Sequence, residues 1–206
     1  MGLPVPPLLV ISDRRQAKLP LDQIAGQAFG AGCRWFSLRE KDLTPAARRA
    51  LLGRLVSLGH RFGAAVMVHD DVEAAAAEGA DGVHLPSRGN IAAARSRLPQ
   101  ALIGASAHSA EEATAMLQAG ADYVTASPVF VTASKPGYGP ALGLDGLARI
   151  VAAARGPVIA LGGITEGNAA GCLAAGACGI AVMGEVMRSA NPRLCVEGLL
   201  RAILKS

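Results

Sequence analysis

The chain has 206 residues, a formal net charge of +4, 51% apolar residues and only 3% aromatics. That length suits one domain whose core is built from Ala, Val, Leu and Ile, with no need of a disulfide or metal staple. The basic residues are scattered and hardly any aromatics interleave with them, which argues against nucleic acid and for small anionic ligands.

Taken from the start, Met1 to Pro7 lacks a basic beginning and is broken by proline, so neither a signal peptide nor a membrane span is expected. Strands are predicted at 8–12, 33–38, 65–69, 81–85, 101–105, 122–126, 157–161 and 179–183. Helices are predicted between and after them at 21–31, 45–62, 71–78, 89–98, 109–119, 143–154, 166–175 and 192–204. The strongest signal is a repeat in which an Ala-rich stretch ends in Gly and a short strand follows: Ala31-Gly32, Glu78-Gly79, Ala119-Gly120 and Ala175-Gly176. Gly suits the residue after a helix because it adopts the left-handed conformation without steric cost. Thr44 before Pro45, and Ser109 with Glu112 three residues later, read as helix N-caps. Eight β/α pairs in one domain, 1–206, predict a single (β/α)8 TIM barrel, with a doubly wound open sheet as the alternative. The one long excursion, Ser127–Leu142, holds several Pro and Gly residues and is a candidate active-site loop. Cys33, Cys172, Cys178 and Cys195 show no metal-binding spacing, so a reducing cytoplasm is the expected setting.

In such a barrel the chemistry sits where strands end and βα loops begin. Polar residues gather at those junctions: Ser37, Arg39 and Lys41 after strand two, His69 and Asp70 after strand three, and His84 in strand four. Ser106 and His108 follow strand five, and Thr132, Ser134 and Lys135 lie in the long loop after strand six. Gly162-Gly163 follows strand seven, and Met183-Gly184 strand eight. Paired glycines let backbone N–H groups approach a phosphate, and the loops after strands seven and eight often bind one; a ligand-free tight turn is the plainer reading. Arg39 and Lys41 suit a diphosphate, or else form a solvated charged turn. Asp70 is a candidate Mg²⁺ ligand, although Asp70-Asp71 reads equally as a helix cap. His84 reads as a hydrogen-bonded interior residue, and His60 as a complement to its helix dipole.

Several of these stretches carry a resemblance. Leu38-Arg39-Glu40-Lys41, Ala80-Asp81-Gly82-Val83-His84-Leu85, Ile103-Gly104-Ala105-Ser106-Ala107-His108, Ser127-Pro128-Val129-Phe130 and Leu161-Gly162-Gly163-Ile164-Thr165 resemble, in order, the thiamine phosphate synthase and thiazole tautomerase superfamily. The resemblance implies a (β/α)8 barrel and a transferase of thiamine biosynthesis. Such an enzyme joins hydroxymethylpyrimidine diphosphate to thiazole phosphate and releases diphosphate. By position it implies that Arg39, Lys41, Ser106 and Lys135 serve the diphosphate and that Asp70 binds Mg²⁺. Thr132, Ser134, Gly163, Met183 and Gly184 would receive the thiazole phosphate, and Ser37 and His69 would contact substrate. The expected partners are these small phosphorylated substrates, with no nucleic acid or membrane, and a homodimer is the assembly considered.

The chain departs from the synthase pattern at three places. Ser37 replaces Gln, His69 replaces Asn, and Pro86-Ser87-Arg88-Gly89 replaces a stretch that carries a second acidic metal ligand. The Leu-Pro-Ser at 85–87 is a trait of the tautomerase branch, yet Pro128 stands where that branch has its acid/base histidine. The synthase is the preferred reading. A tautomerase acting on thiazole carboxylate phosphate, or a non-catalytic thiazole phosphate binder, are the alternatives.

Overall fold

The computed structural model describes residues 2–132 and 140–204. Eight parallel strands close into a barrel in sequence order, β1-β2-β3-β4-β5-β6-β7-β8, as the eight-fold alternation predicts. They are β1 (Leu8–Ile11), β2 (Trp35–Leu38), β3 (Ala65–His69), β4 (Gly82–Leu85), β5 (Leu102–Ala107), β6 (Tyr123–Ala126), β7 (Val158–Leu161) and β8 (Gly179–Val182). The helices are α1 (Leu21–Gly30), α2 (Pro45–His60), α3 (Val72–Glu78), α4 (Ile91–Arg97), α5 (Ala110–Gln118), α6 (Gly143–Ala154), α7 (Ala169–Ala174), α8 (Gly184–Met187) and α9 (Pro192–Leu204). The one-turn α8 has no counterpart among the predicted elements. No helix among the described residues is long and apolar enough to cross a membrane.

The repeat is built as its chemistry requires. Its glycines, Gly32, Gly79, Gly120 and Gly176, all have positive φ, from +65° to +104°. In two copies an Asp follows and ties the next layer together. Asp81 accepts from Val66 N–H at 2.8 Å and Asp122 from Ile103 N–H at 2.7 Å, so each carboxylate closes the ladder at the bottom of the barrel. Thr44 accepts from Ala47 N–H and Ser109 from Glu112 N–H, which caps α2 and α5 as read from sequence.

Two apolar layers result. Side chains on the outer face of the strands pack against the helices, while Leu9, Ile11, Trp35, Met67, Leu102, Tyr123, Ile159 and Ala181 fill the barrel itself. Trp35 and Tyr123 meet edge to face with centroids 4.8 Å apart. Gly104 makes this possible, because a Cβ there would lie 2.1 Å from the Tyr123 ring. The lower barrel is thus a solid plug, and open space remains only above it.

Candidate active site

That space is a cavity of about 400 Å³ over the C-terminal ends of the strands. Period-two alternation sends every second strand residue inward, so the layer above the plug comes from the last inward positions. On β2 to β6 these are polar: Ser37, His69, His84, Ser106 and Thr125. The inward positions on β1 and β7 are Ile11 and Leu161. One side of the cavity floor is therefore polar and the other apolar.

His84 anchors the polar side. It is 5% exposed, with Nδ1 3.1 Å from the Tyr123 hydroxyl and Nε2 3.1 Å from Ser106 Oγ. Thr125 Oγ1 lies 3.5 Å from the same Nε2, and the His69 ring stacks on His84 at 5.8 Å. Burial, with the Arg39 charge beside it, lowers the His84 pKa to about 4, so the ring is neutral at pH 7. Sequence placed His84 in the barrel interior; the fold makes it part of the cavity wall as well. His108 also lines the cavity, and its Nδ1 lies 2.7 Å from the Ser127 carbonyl. A carbonyl only accepts, so Nδ1 carries the proton in this contact.

The β2 end brings Arg39 and Lys41 to the cavity wall, next to Ser37, His69 and Ser106. Between the two cations, Glu40 is only 3% exposed and does not line the cavity. Asp70 stands at the C-terminal end of β3 with φ +53°, exposed, and outside the set of cavity-lining residues. The cap read from the Asp70-Asp71 pair is Asp71. Its Oδ1 accepts from Ala74 N–H at 2.9 Å, and Arg48 pairs with its Oδ2 at 2.6 Å. Among the described residues no cluster of three or more His, Cys, Asp or Glu side chains is placed to hold a metal ion.

The opposite wall is rich in glycine, with Thr165, Glu185 and Arg188 also lining it. Gly162 and Gly163 have φ of +103° and +65° and line the cavity with Met183 and Gly184. The loop after β6 packs directly on them: Phe130 N–H donates to Gly162 O at 2.9 Å, and a Cβ on Gly163 would lie 2.5 Å from Val131 O. Asn168 closes the turn, its Oδ1 accepting from Thr165 N–H at 2.8 Å and its Nδ2 donating to Gly163 O at 3.0 Å. This polar turn delays α7 to Ala169, where the sequence pattern predicts a start near 166. Thr132 lines the cavity beside Gly163, while Ser134 and Lys135 lie outside the described residues. The ends of the 127–142 excursion are pinned, with Val129 N–H on Leu161 O and Leu142 N–H on Pro128 O, both at 2.9 Å.

The sequence profile of the thiamine monophosphate synthase family matches residues 8–186, from the start of β1 into α8. The chain belongs to that family. A thiamine-phosphate synthase of Roseiflexus sp. is 37% identical over 194 residues, covering 92% of this chain and 82% of that one. A bifunctional thiamine biosynthesis protein of Symbiobacterium thermophilum is 43% identical over 178 residues. That match covers 85% of this chain but only 37% of the longer protein. A solved structure of thiamine phosphate pyrophosphorylase from Pyrococcus furiosus superposes with a TM-score of 0.88 at 34% identity. It covers 96% of this chain and is itself 95% covered. A member of the thiamine monophosphate synthase family is an enzyme of the transferase class, and the transferase reading therefore stands over the isomerase one.

Proposed function

We propose that this enzyme joins hydroxymethylpyrimidine diphosphate to thiazole phosphate, releasing diphosphate. The observation that carries the proposal is that Arg39, Lys41 and Ser106 line the same cavity as Gly163, Met183 and Gly184. Two anions of different size would then bind at opposite walls, with the reacting atoms between them.

In the reaction, the bond between the pyrimidine methylene and the diphosphate oxygen breaks, and its electron pair leaves with diphosphate. The thiazole nitrogen lone pair then forms the new carbon–nitrogen bond. No strong base is required; the barrier is lowered by cations around the departing oxygens. Arg39 and Lys41 would hold those oxygens, with Lys135 from the long loop as a third cation. Ser106 would donate one hydrogen bond. The neutral His84 supports this role, since it can donate from one nitrogen only. The Tyr123 hydroxyl lies 3.1 Å from Nδ1 and 3.6 Å from Met67 Sδ. In the tautomer with its proton on Nε2, His84 donates to Ser106 Oγ and leaves the serine proton for the leaving group. Ser37 and His69 would flank the pyrimidine. Thr132, Ser134 and the amides near Gly163, Met183 and Gly184 would take the thiazole phosphate.

A Mg²⁺ ion fits this chain as a passenger of the substrate. Asp70, exposed at the end of β3 next to the cavity-lining His69, would supply one carboxylate; Asp71 is engaged with Arg48 and Ala74, and position 89 is a glycine whose added Cβ would lie 2.6 Å from Leu85 Cβ. Mg²⁺ commonly takes one or two carboxylates plus substrate phosphate oxygens. Asp70 and the diphosphate would hold it, and its charge would stabilise the leaving group.

Incubation of purified protein with both substrates and Mg²⁺ should yield thiamine phosphate, detectable by chromatography. A folded protein that gives no product overturns the proposal.

A further inference from the structure

Glu40 is a buried carboxylate in the sequence between the two cations, and a negative charge there opposes anion binding through space. Its geometry suggests why it is present. Ser12 Oγ donates to Glu40 Oε1 at 2.6 Å and accepts from Arg39 N–H at 2.8 Å. Arg14 N–H reaches both Glu40 oxygens, at 3.2 and 3.0 Å. Ser12 N–H donates to Ser37 O at 3.0 Å, which extends the β1–β2 ladder by one rung. Beyond Lys41, the Arg14 guanidinium pairs with Asp42 at 2.6 Å. The turn at residues 39–42 is thus held from beneath at Arg39 N, at the Glu40 carboxylate and at the Asp42 carboxylate. Only Arg39 and Lys41 are left facing the cavity.

We propose that Ser12 and Glu40 are a positioning pair that sets Arg39 and Lys41 on the diphosphate wall. Neither side chain touches substrate; both act through the backbone of the turn that carries the cations. Ser12 is fully buried, and burial raises the Glu40 pKa against the lowering effect of its Ser12 and Arg14 hydrogen bonds. The proposal rests on the diphosphate reading given above.

The test uses Glu40→Gln, which keeps the side-chain volume while removing the charge and one acceptor for Arg14 N–H, together with Ser12→Ala. The probe is inorganic diphosphate, measured by calorimetry, alongside the KM of each substrate and a thermal melt of each variant. Both variants should weaken diphosphate binding and raise the KM of the diphosphate substrate, by about tenfold for Glu40→Gln. The KM of the thiazole phosphate should stay within about twofold, and the double variant should be little worse than Glu40→Gln alone. A general loss of structure would raise both KM values together. If Glu40 acted only as a nearby charge, Glu40→Gln would bind diphosphate more tightly; that result, or unchanged binding, overturns the positioning pair. Should Glu40→Gln fail to fold, Ser12→Ala carries the same comparison by itself. Failure of the unaltered protein to bind diphosphate overturns the diphosphate reading and this pair with it, whereas normal binding by both variants overturns the pair alone.

Discussion

Where β2 to β5 end, the cavity wall carries the side chains Arg39, Lys41, His69, His84 and Ser106; past the ends of β7 and β8 it includes the glycines Gly162, Gly163 and Gly184, with Thr165, Glu185 and Arg188 beside them. The two walls present positive potential to an anion by different means. Side-chain cations bring full charges but must be aimed, and the residues placed to aim them, Ser12 and Glu40, lie beneath the surface. Backbone amides bring partial charges already fixed by the fold, and a single side chain, Asn168, closes their turn. The first wall is therefore weakened by taking atoms away, and the second by adding them.

The largest effect is expected on the side-chain wall. Arg39→Ala should lower kcat/KM for the diphosphate substrate by about 100-fold or more, because a charge-assisted contact in a water-poor site is lost. Thiazole phosphate should still raise the melting temperature of this variant as it does in the unaltered protein. If that thermal shift disappears as well, the two walls do not act separately.

A second test concerns His84 beneath the same wall. Its folded pKa of about 4 lies below the ordinary value of 6.5, so the unfolded chain binds the extra proton first as pH falls. The stability contributed by the neutral ring is complete above pH 6.5 and is lost as pH drops toward 4, by about 3 kcal/mol over that window. Glu40, whose pKa is raised by burial, has the opposite sign, so the clean measurement is a difference. Urea midpoints of the unaltered protein and His84→Gln, compared from pH 7 to pH 4, should converge as pH falls. Parallel curves would mean that His84 is not held neutral.

The barrel was legible because its signals are local. A glycine stop before each of four strands requires only the left-handed preference of glycine, and all four glycines adopt positive φ. The inward placement of Ser37, His69, His84 and Ser106 follows from alternation once the strand limits are known. Contacts between distant residues were not legible. Ser12 and Glu40 are 28 positions apart and His84 and Tyr123 are 39 apart, and only the register of the closed barrel brings them together. Helix α8 escaped notice because four residues give no periodicity and its cap, Met183, makes no side-chain hydrogen bond. Asn168 falls inside the helix predicted from 166, and nothing in its spacing shows that its amide returns to Gly163 O.

On the backbone wall the informative change is an added methyl. Gly163→Ala must accommodate φ +65° and a Cβ 2.5 Å from Val131 O and 2.8 Å from Phe130 Cβ. The expected cost is about 1–3 kcal/mol in stability, with a rise in the thiazole phosphate KM and little change for the diphosphate substrate. Gly167→Ala, four residues on, meets only Thr165 Oγ1 at 3.9 Å and should stay within about 0.5 kcal/mol in a chemical melt. Equal effects of the two substitutions would show that generic glycine loss, rather than the close approach of the β6 loop, sets the cost.

The smallest expected effects separate two neighbouring carboxylates that sequence alone could not assign. Asp71 caps α3 through Ala74 N–H and pairs with Arg48, both side chains being about 20% exposed. Asp71→Ala should therefore cost about 1–2 kcal/mol of stability, measured by urea unfolding, while turnover at saturating Mg²⁺ changes less than twofold. Asp70 makes no cap, and its left-handed backbone at φ +53° turns it out of the helix start. Asp70→Ala should leave the urea midpoint nearly unchanged and raise the Mg²⁺ concentration needed for half-maximal turnover by roughly tenfold. Asp70→Asn should behave alike, because the amide keeps the shape and loses the charge. If Asp71→Ala alone shifts the Mg²⁺ requirement, the roles are reversed, and the metal reaches the cavity from the α3 side instead of from the end of β3.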